Sequence, residues 1–367
     1  MTGCSRLARD RPTISSPFSP MIFCEHSSLY RKLVVSTKMS LPDYISFENL
    51  DVPHREAFSL AINNILSTDL ALTTYAQIID GLPTSDVAWD QYSSKLHRRH
   101  PINDHVALCS GVLEKAKEFR ADLDLEALRF SPTLLQAYQS ASTSSQAFGF
   151  RLIELTAAAL HQIGVFLFHL ELRMHNSATT RGLDIEAVTL WEPEQNHFMR
   201  IIPDPTLFTQ SHFTAQEQYP DGLADIAGYW AEDRILGGVV LFDRSQSWAE
   251  NSEPNVYFQC CRKGVTYRVC QLLNEQQDSL LGFLQTVDIN VTECPLPILP
   301  GSHNRVRVEP ADSISVHKVY RDHWERAPPR RRLRMQEFME PDVISSLDFP
   351  EHDVEEEIKR LRRREPR

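Results

Sequence analysis

The spacing of apolar residues along the chain changes near Asn176–Gly182. Before this point, over residues 41–176, apolar residues recur every three or four positions, which predicts amphipathic helices. After it, over residues 183–287, they come in short β-branched and aromatic runs broken by proline, glycine and asparagine, as is typical of strands. This order predicts an α+β fold, with an N-terminal helical layer packed on a C-terminal, mainly antiparallel sheet, in a single domain over residues 41–295.

Cap residues mark the helices of the first half. Asp51, Asp104 and Ser131 each precede an apolar stripe at helical spacing, so helices are expected to begin there. The first stripe continues to Gly81, a residue type common at helix C-termini. We therefore expect the first helix to extend to Gly81 and two further helices to follow it.

The segment Leu152–Leu170 is the most apolar of the chain. Four polar residues interrupt it, among them Glu154 and His161, and polar groups in the middle of a segment oppose its insertion into a bilayer. We therefore interpret the segment as the central helix of a helical layer and expect no membrane span. Glu154 and His161 lie on one face of this helix, where a paired contact in the core is expected.

Three apolar runs predict the first strands of the second half: Ile185–Trp191, Phe198–Ile202 and Ile235–Phe242. The first two are expected to form a hairpin. A long loop over Thr206–Gly228 follows, and long loops often carry function. Gly237-Gly238 within the third strand predicts a bulge or a close approach of two backbones.

The most distinct local pattern is a second hairpin. Val256–Arg262 and Val265–Leu272 alternate in polarity and flank Lys263-Gly264, which fits a two-residue turn. This register predicts a half-buried hairpin. A helix over Leu272–Leu284 is expected to follow it. The hairpin face expected to be buried comprises Val256, Phe258, Cys260, Val265, Tyr267 and Val269.

The two ends of the chain differ in composition from this domain. Residues 1–40 are rich in serine, proline and arginine and poor in acids, so we expect a disordered leader, with a mitochondrial presequence as the alternative. Residues 296–367 begin with closely spaced prolines and continue as a charged segment, which predicts a linker and a charged tail.

Two clusters of basic residues lie in this tail and are candidate nuclear-import addresses. The alternative is a solvated helix in which the acids at 355–357 pair with the bases that follow them. The import candidates are Arg330, Arg331, Arg332, Lys359, Arg360, Arg362, Arg363 and Arg364.

Charge and cysteine content indicate which partners and which cellular compartment to expect. The net charge of −11 comes from the domain, whereas the leader and the tail are basic or balanced, so the acidic body is not expected to bind nucleic acid directly. The 7 cysteines are odd in number and irregularly spaced, which argues against a disulfide framework. Reduced thiols predict an intracellular protein of the cytoplasm or the nucleus.

Candidates for catalysis are confined to one stretch. The first predicted hairpin and the long loop after it carry histidines and acids, the residue types of general acid–base chemistry, but in no recognisable paired spacing. We interpret them first as ordinary polar residues and second as catalytic candidates. They are His197, Asp204, His212 and Glu217.

The chain has 14 histidines, and some of them are candidate metal ligands. Glu171 and His175 stand four apart on a predicted helix, a spacing that can hold zinc, but two further ligands at a recognisable spacing are missing. His97, His100 and His105 belong to a basic stretch with a proline, which we interpret as a solvated turn. The sequence thus predicts no metal and no cofactor.

Aromatic residues are the candidates for binding. Trp191, Tyr229 and Trp230 could anchor a partner at the sheet edge and the long loop, because buried aromatic anchors dominate many interfaces. The alternative is that all three simply belong to the core.

The stretch from Tyr219 to Leu272, which includes Tyr219-Pro220-Asp221-Gly222 and Gly237-Gly238, resembles an uncharacterised protein family of filamentous fungi, as does the tail. The resemblance implies a fungal source and no known activity, so it assigns no functional residue. Orphan proteins of such fungi sometimes accompany secondary-metabolite pathways.

One function is favoured by three observations. The chain has enough apolar residues for a full-sized core, its tail has a composition typical of protein binding, and it shows no recognisable set of catalytic residues. We expect a non-catalytic intracellular interaction or regulatory protein whose partner is another protein. The first alternative is an enzyme or a small-molecule-binding accessory protein with a pocket between helices and sheet. The second alternative is a nuclear protein that acts through the basic tail.

Overall fold

A computed structural model describes residues 44–91, 96–177, 184–193, 203–245, 255–288, 293–326 and 347–350. Within these residues the chain has the expected α+β fold, with helices in its N-terminal part and an antiparallel sheet in its C-terminal part. The α-helices are α1 (Val52–Leu66), α2 (Asp69–Asp80), α3 (Ser85–Trp89), α4 (Val112–Asp122), α5 (Pro132–Ser140), α6 (Gln146–His169), α7 (Met174–Ser177), α8 (Ile185–Thr189), α9 (Leu223–Leu236) and α10 (Asn274–Gln285). Short 3-10 helices cover Phe47–Asn49, Pro101–Asp104, Leu125–Ala127 and Gln216–Gln218.

The helix expected to extend to Gly81 is divided into α1 and α2. The Thr68 hydroxyl accepts a hydrogen bond from the Ala71 amide (3.1 Å) and donates one to the Ile65 carbonyl (2.7 Å). Thr68 therefore caps the end of one helix and the start of the next, and the apolar stripe continues across the bend. The helix expected after Asp104 begins only at Val112, because residues 101–104 form a 3-10 turn.

The central helix of the fold is α6, as the sequence predicts. It packs mainly against α9, and most of its residues are buried. Among the described helices, α6 is long and apolar enough to cross a membrane, yet 72% of its apolar window is buried inside the fold. No clear membrane span is therefore described.

The expected pair between Glu154 and His161 does not form. Glu154 instead forms ion pairs with Arg151 and Arg244. His161 Nε2 lies 2.9 Å from the Asp225 carboxylate of α9. Both side chains are buried, and each has a partner outside α6, Arg244 for Glu154 and Asp225 for His161, while Arg151 pairs with Glu154 from within the helix.

Seven strands are described: β1 (Ile45–Ser46), β2 (Arg129–Phe130), β3 (Val239–Asp243), β4 (Val256–Gln259), β5 (Val269–Gln271), β6 (Arg307–Val308) and β7 (Val319–Tyr320). β1 and β2 form a small antiparallel pair, and the other strands form one antiparallel sheet in the order β6-β5-β4-β3-β7. The close backbone approach predicted at Gly237-Gly238 is confirmed, since a Cβ on Gly237 would lie 2.1 Å from the Ile298 carbonyl oxygen. Gly237 is nevertheless the left-handed C-cap of α9 (φ 106°) and precedes β3.

Two assignments in the second half are wrong. Residues of the expected strand Ile185–Trp191 form α8, because Ile185 and Val188, three residues apart, pack into one small core and Asp184 caps the helix. The expected loop Thr206–Gly228 is shorter, because its last residues begin α9. The strand expected at Phe198–Ile202 lies outside the described residues.

The predicted hairpin is shifted by one residue. A two-residue turn would pair Phe258 with Val269, whereas the observed partner of Phe258 is Cys270. As a result Phe258 faces the helices, while Val269 lies with Tyr257 in the core on the other side of the sheet. The hairpin is buried on both faces, so polarity alternation could not determine its register.

Residues 293–326, which the sequence assigned mostly to a linker and a tail, complete the sheet through β6 and β7. Arg321, just after β7, is 9% exposed and contacts two acids: Glu232 of α9 at 3.0 Å and Glu325 at 2.8 Å. Closely spaced prolines therefore do not mark the end of the folded body here.

A small satellite core lies apart from the main core and positions the site described below. It joins the chain after α2 to α3, to the 3-10 turn at residues 101–104, to α8 and to the segment after residue 203. Its buried members are Leu82, Ala88, Ile102, Ile185, Val188 and Leu207.

Candidate metal centre

Four side chains that can each offer one metal ligand converge beside the satellite core. They are Asp80, His105, Cys109 and His175, and one ligand atom of each lies within 4.8 Å of the ligand atoms of all the others. Asp80 and His105 are buried, whereas Cys109 and His175 are partly exposed. The set combines a carboxylate oxygen, two imidazole nitrogens and one sulfur.

The C-terminus of α2 positions Asp80. It is the last residue of that helix, and Gly81 follows it as a left-handed cap. The carboxylate Oδ2 accepts a hydrogen bond from the Cys109 amide (3.0 Å), while the buried Oδ1 has no hydrogen-bond partner among the described residues. Asp80 is 0% exposed, so water does not serve Oδ1 from the surface. A buried carboxylate oxygen of this kind needs a cation or a donor.

His105 is oriented by its second ring nitrogen. Nδ1 lies 2.8 Å from the Pro83 carbonyl oxygen, which can only accept, so Nδ1 carries the proton. Nε2 then faces the Asp80 carboxylate at 3.0 Å. A histidine whose one nitrogen donates to a backbone carbonyl while the other faces the site is the usual arrangement for a metal ligand.

Cys109 and His175 form the more open side of the cluster. Cys109 Sγ lies 3.3 Å from His175 Nδ1, and the rings of His175 and His105 meet edge to face at 5.0 Å. Glu171 and Arg173, just before His175, both adopt positive φ angles of 47° and 41°. Backbone of this type costs about 1–3 kcal/mol per non-glycine residue, so another interaction must hold the segment in place.

The electrostatics of the cluster follow from its burial and its carboxylate. Burial, reinforced by the neighbouring Asp80 carboxylate, raises the pKa of the Cys109 thiol to about 11. Burial alone would lower the pKa of His105, but hydrogen bonds to Asp80 and Pro83 outweigh it and the pKa is raised. Burial and the nearby His105 lower the pKa of His175. The raised pKa values mean that Cys109 and His105 hold their protons tightly, so a cation that binds here would have to displace these protons.

Two of the six separations between the ligand atoms come close to those around a tetrahedral zinc ion. Zn–N, Zn–O and Zn–S bonds of about 2.0–2.3 Å place neighbouring ligand atoms about 3.3–3.6 Å apart. The distances of 3.0 Å from His105 Nε2 to Asp80 Oδ2 and 3.3 Å from Cys109 Sγ to His175 Nδ1 are the two that come close to these values. Carboxylate, imidazole and thiolate are also the three ligand types that zinc accepts in proteins.

Two of the four ligands, His105 and His175, are among the histidines that the sequence offered as metal-ligand candidates. The sequence favoured a solvated turn for His105, and this is wrong, since His105 is buried. Glu171, the proposed companion of His175, is exposed and pairs with Arg173 at 3.6 Å. The local signal that could have located the site is the four-residue spacing of His105 and Cys109.

A second feature lies on the other side of the satellite core, where a cleft encloses a volume of about 40 Å³. Trp191 forms one wall, with His97 stacked on it at 5.9 Å and His100 edge-on at 5.2 Å. Asp204, one of the catalytic candidates, also lines it. Two of the residues singled out in the sequence, Trp191 and Asp204, thus meet in this cleft. Its other lining residues are Ala88, Gln91, Leu96, Thr189, Pro193, Pro203, Leu207 and Thr209.

The remaining catalytic candidates lie elsewhere. His212 is half-buried beside Arg326, and burial, followed by the charge of Arg326, lowers its pKa to about 4. Glu217 is exposed on the 3-10 turn Gln216–Gln218. His197 lies outside the described residues, as do all the basic residues proposed as import addresses.

The two other aromatic candidates are core residues. Tyr229 and Trp230 are 1% and 2% exposed, on opposite sides of α9. The Tyr229 hydroxyl donates to Glu325 (3.1 Å), and Trp230 packs on Phe208. Neither offers a surface to a partner.

No family model, curated protein or solved structure matches the chain. The evidence for the metal cluster and for the cleft is therefore the geometry of their own residues.

Proposed function

We propose that the protein is a zinc-binding protein, and that Asp80, His105, Cys109 and His175 hold one structural Zn²⁺ ion. The observation that carries the proposal is Oδ1 of the fully buried Asp80, which lacks a hydrogen-bond partner in the described part of the chain and lies in a cluster with two imidazoles and a thiol. Leaving a buried acceptor unsatisfied costs about 1–3 kcal/mol, and more for a charged group, whereas a coordinated cation would satisfy it. The proposal replaces the expectation of no metal that the sequence alone suggested.

The donor set favours zinc over other cations. Calcium and magnesium prefer shells made entirely of oxygen, and this cluster offers one carboxylate. Thiolate and imidazole select the later transition metals, among which a four-coordinate mixed shell suits zinc.

The number of protein ligands supports a structural role. Catalytic zinc sites keep one position for water or substrate, whereas structural sites are filled by four protein ligands. Four ligands are present here, and they come from the end of α2, the loop before α4 and the short helix α7. An ion would tie these segments together and offset the strain at Glu171 and Arg173.

We propose that the protein acts in interaction and not in catalysis. The metal would fix the satellite core, and with it the surface that carries the Trp191 cleft. This supports the non-catalytic interaction or regulatory function expected from the sequence, with another protein as the partner.

The test is the metal content of the purified full chain. After dialysis against metal-free buffer, we expect elemental analysis to find about one zinc per chain, because four ligands from one fold bind with high apparent affinity. Cobalt in place of zinc should give the thiolate charge-transfer band of a Co–S bond, with ligand-field bands of tetrahedral intensity.

Matched variants separate this site from adventitious binding. Cys109→Ser and His175→Gln alter the partly exposed ligands, and both should lose the metal, with the cobalt–sulfur band absent in Cys109→Ser. The controls Cys294→Ser and His303→Gln alter exposed residues of the same types and should keep it. Absence of zinc from the wild type, or full zinc content in both ligand variants with a native circular dichroism spectrum, would refute the proposal.

A further inference from the structure

A short segment of the chain is held at one edge of the large sheet. It comprises residues 347–350, with the sequence Leu-Asp-Phe-Pro, and residues 327–346 separate it along the chain from the described residues before it. The side chains and amides that hold it lie just before β5 and on the edge strand β6. We call these four residues the cradle: Thr266, Tyr267, Arg268 and Arg307.

Asp348 anchors the segment in the cradle. It is 6% exposed, and its Oδ1 accepts hydrogen bonds from the Thr266 hydroxyl (3.0 Å) and the Tyr267 amide (3.2 Å). Hydrogen bonds to an ionised acceptor are roughly twice as strong as those to a neutral one, and the two arginines of the cradle add a favourable positive charge. The cradle therefore selects an acidic residue at this position.

The residues on either side of Asp348 contact the arginines. Arg268 donates a hydrogen bond to the Asp348 carbonyl (3.1 Å), and its guanidinium lies over the Phe349 ring, 4.5 Å from the ring centroid. Arg307 donates a hydrogen bond to the Leu347 carbonyl. Backbone carbonyls are common to all residues, whereas a cation over an aromatic face requires a ring. The specificity of the cradle thus lies in an acidic residue followed by an aromatic one.

The cradle is positioned by contacts that do not involve the segment. Arg307 donates hydrogen bonds to the carbonyls of Asn304 (2.8 Å) and Gly301 (2.7 Å). Arg268 pairs with Glu309 at 3.0 Å and donates a hydrogen bond to the Arg307 carbonyl (3.1 Å). Because donors fixed in this way lose little freedom on binding, the cradle is preordered for a ligand and should keep its shape when the segment leaves.

The contacts of the segment are local, so a separate peptide of the same sequence can make them as well. They consist of one carboxylate, two backbone carbonyls and one ring, all within residues 347–349. We propose that the cradle is a peptide-binding site for an acidic residue followed by an aromatic one. The segment fills this site as an internal competitor, and a partner protein that carries the same motif binds by displacing it.

This site lies outside the zinc cluster, since none of the cradle residues is a proposed metal ligand. Only the origin of the competing ligand, a segment of another protein, rests on the interaction role proposed above. Zinc content is measured in every variant below, so that a failure of the cradle and a failure of the metal site are told apart.

The probe is a fluorescent synthetic peptide, Ser-Ser-Leu-Asp-Phe-Pro-Glu-His, with the sequence of residues 345–352. It is titrated into the zinc-loaded full chain and followed by anisotropy. Asp348→Ala should bind the probe at least about tenfold more tightly than wild type, because a tethered segment competes at an effective concentration on the order of mM. Phe349→Ala, at a partly exposed position of the segment, should change affinity in the same direction. Asp278→Ala, at an exposed acid of α10, is the matched control and should bind like wild type.

Changes in the probe and in the cradle test the specificity. A probe with asparagine in place of its aspartate, and one with alanine in place of its phenylalanine, should each bind Asp348→Ala at least about tenfold more weakly. Neither change can affect the folding of the protein. Arg268→Met added to Asp348→Ala should also weaken binding, whereas Arg305→Met, at an exposed arginine outside the cradle, should change affinity less than about twofold.

Several outcomes would overturn the proposal. These are no saturable binding of the probe to Asp348→Ala protein that keeps its zinc and its circular dichroism spectrum, equal affinity of wild type and Asp348→Ala, or equal binding of the asparagine probe. Dissociation of a wild-type dimer by excess probe, followed by sedimentation, would show that the segment occupies the cradle of a second copy and would contradict internal competition.

Discussion

The side chain of Ile185 lies directly on Gly81, so that a Cβ at Gly81 would come within 2.4 Å of Ile185 Cδ1. Gly81 also has a φ of 95°, in the left-handed region that glycine favours. It follows Asp80 in the chain, and Ile185 belongs to the satellite core. The contact between Gly81 and Ile185 therefore links the residue next to the candidate ligand Asp80 to the satellite core.

Gly81→Ala is expected to destabilise the protein. The positive φ costs about 1–3 kcal/mol in the free energy of unfolding, and the collision with Ile185 adds to it. Zinc affinity should fall as well, because Asp80 would shift. Gly282→Ala on α10 is the control, since a Cβ there meets nothing within 4 Å, and it should be neutral or slightly stabilising. Equal stability of the two variants in urea unfolding would contradict the packing described.

Arg321→Met is expected to be among the most destabilising single changes. Arg321 neutralises Glu232, which is 0% exposed, and removing one partner of a buried pair costs about 3–5 kcal/mol. Lys115→Met removes one partner of the surface pair with Glu118 and should cost less than about 1 kcal/mol. The double variant Arg321→Met/Glu232→Gln should recover part of the loss. Chemical unfolding of the four proteins measures these differences.

Stability should fall as the pH falls from about 6.5 to 4, in part because of His212. Burial and the charge of Arg326 lower its pKa from 6.5 to about 4. Between these values the unfolded chain binds a proton that the native chain does not, which favours unfolding. The contribution is on the order of 2–3 kcal/mol across this window. His212→Gln should flatten the pH profile of the unfolding free energy relative to wild type. If the unfolding free energies of wild type and His212→Gln changed with pH in parallel, the lowered pKa of His212 would be contradicted.

Removal of zinc is expected to lower the free energy of unfolding. The proposed ligands come from the end of α2, the loop before α4 and α7, so loss of the ion would release three segments that it holds together. Urea unfolding before and after chelation should show a lower midpoint in the chelated protein, restored when zinc is added back. An unchanged midpoint after complete removal of the metal would contradict a structural role.

The apolar pattern predicted the architecture but not its details. The helix α5 was predicted because its cap residue Ser131 and its periodicity agree, and α6, α10 and β4 were predicted from their apolar patterns. α8 was taken for a strand because Ile185 and Val188 in a five-residue helix give too short a pattern to distinguish the two periods. The hairpin register was missed because both of its faces are buried, which removes the polar alternation that a register leaves in a sequence.

The metal centre was hidden for a different reason. Its ligands lie at positions 80, 105, 109 and 175, so the spacing between them reflects the fold and not a local motif. His105 sits in a stretch with Arg98 and Arg99, and this basic composition suggested exposure. The cleft was partly foreseen, since Trp191 and Asp204 were singled out separately. Their meeting depends on α8 and on the satellite core, which the sequence did not predict.

X-ray absorption at the zinc edge of the purified full chain tests the central claim most directly. A shell of one sulfur at about 2.3 Å and three nitrogen or oxygen atoms at about 2.0–2.1 Å is the predicted result. In Cys109→Ser the sulfur contribution should disappear. A shell without sulfur in the wild-type protein, or a six-coordinate shell of oxygen atoms, would contradict the account.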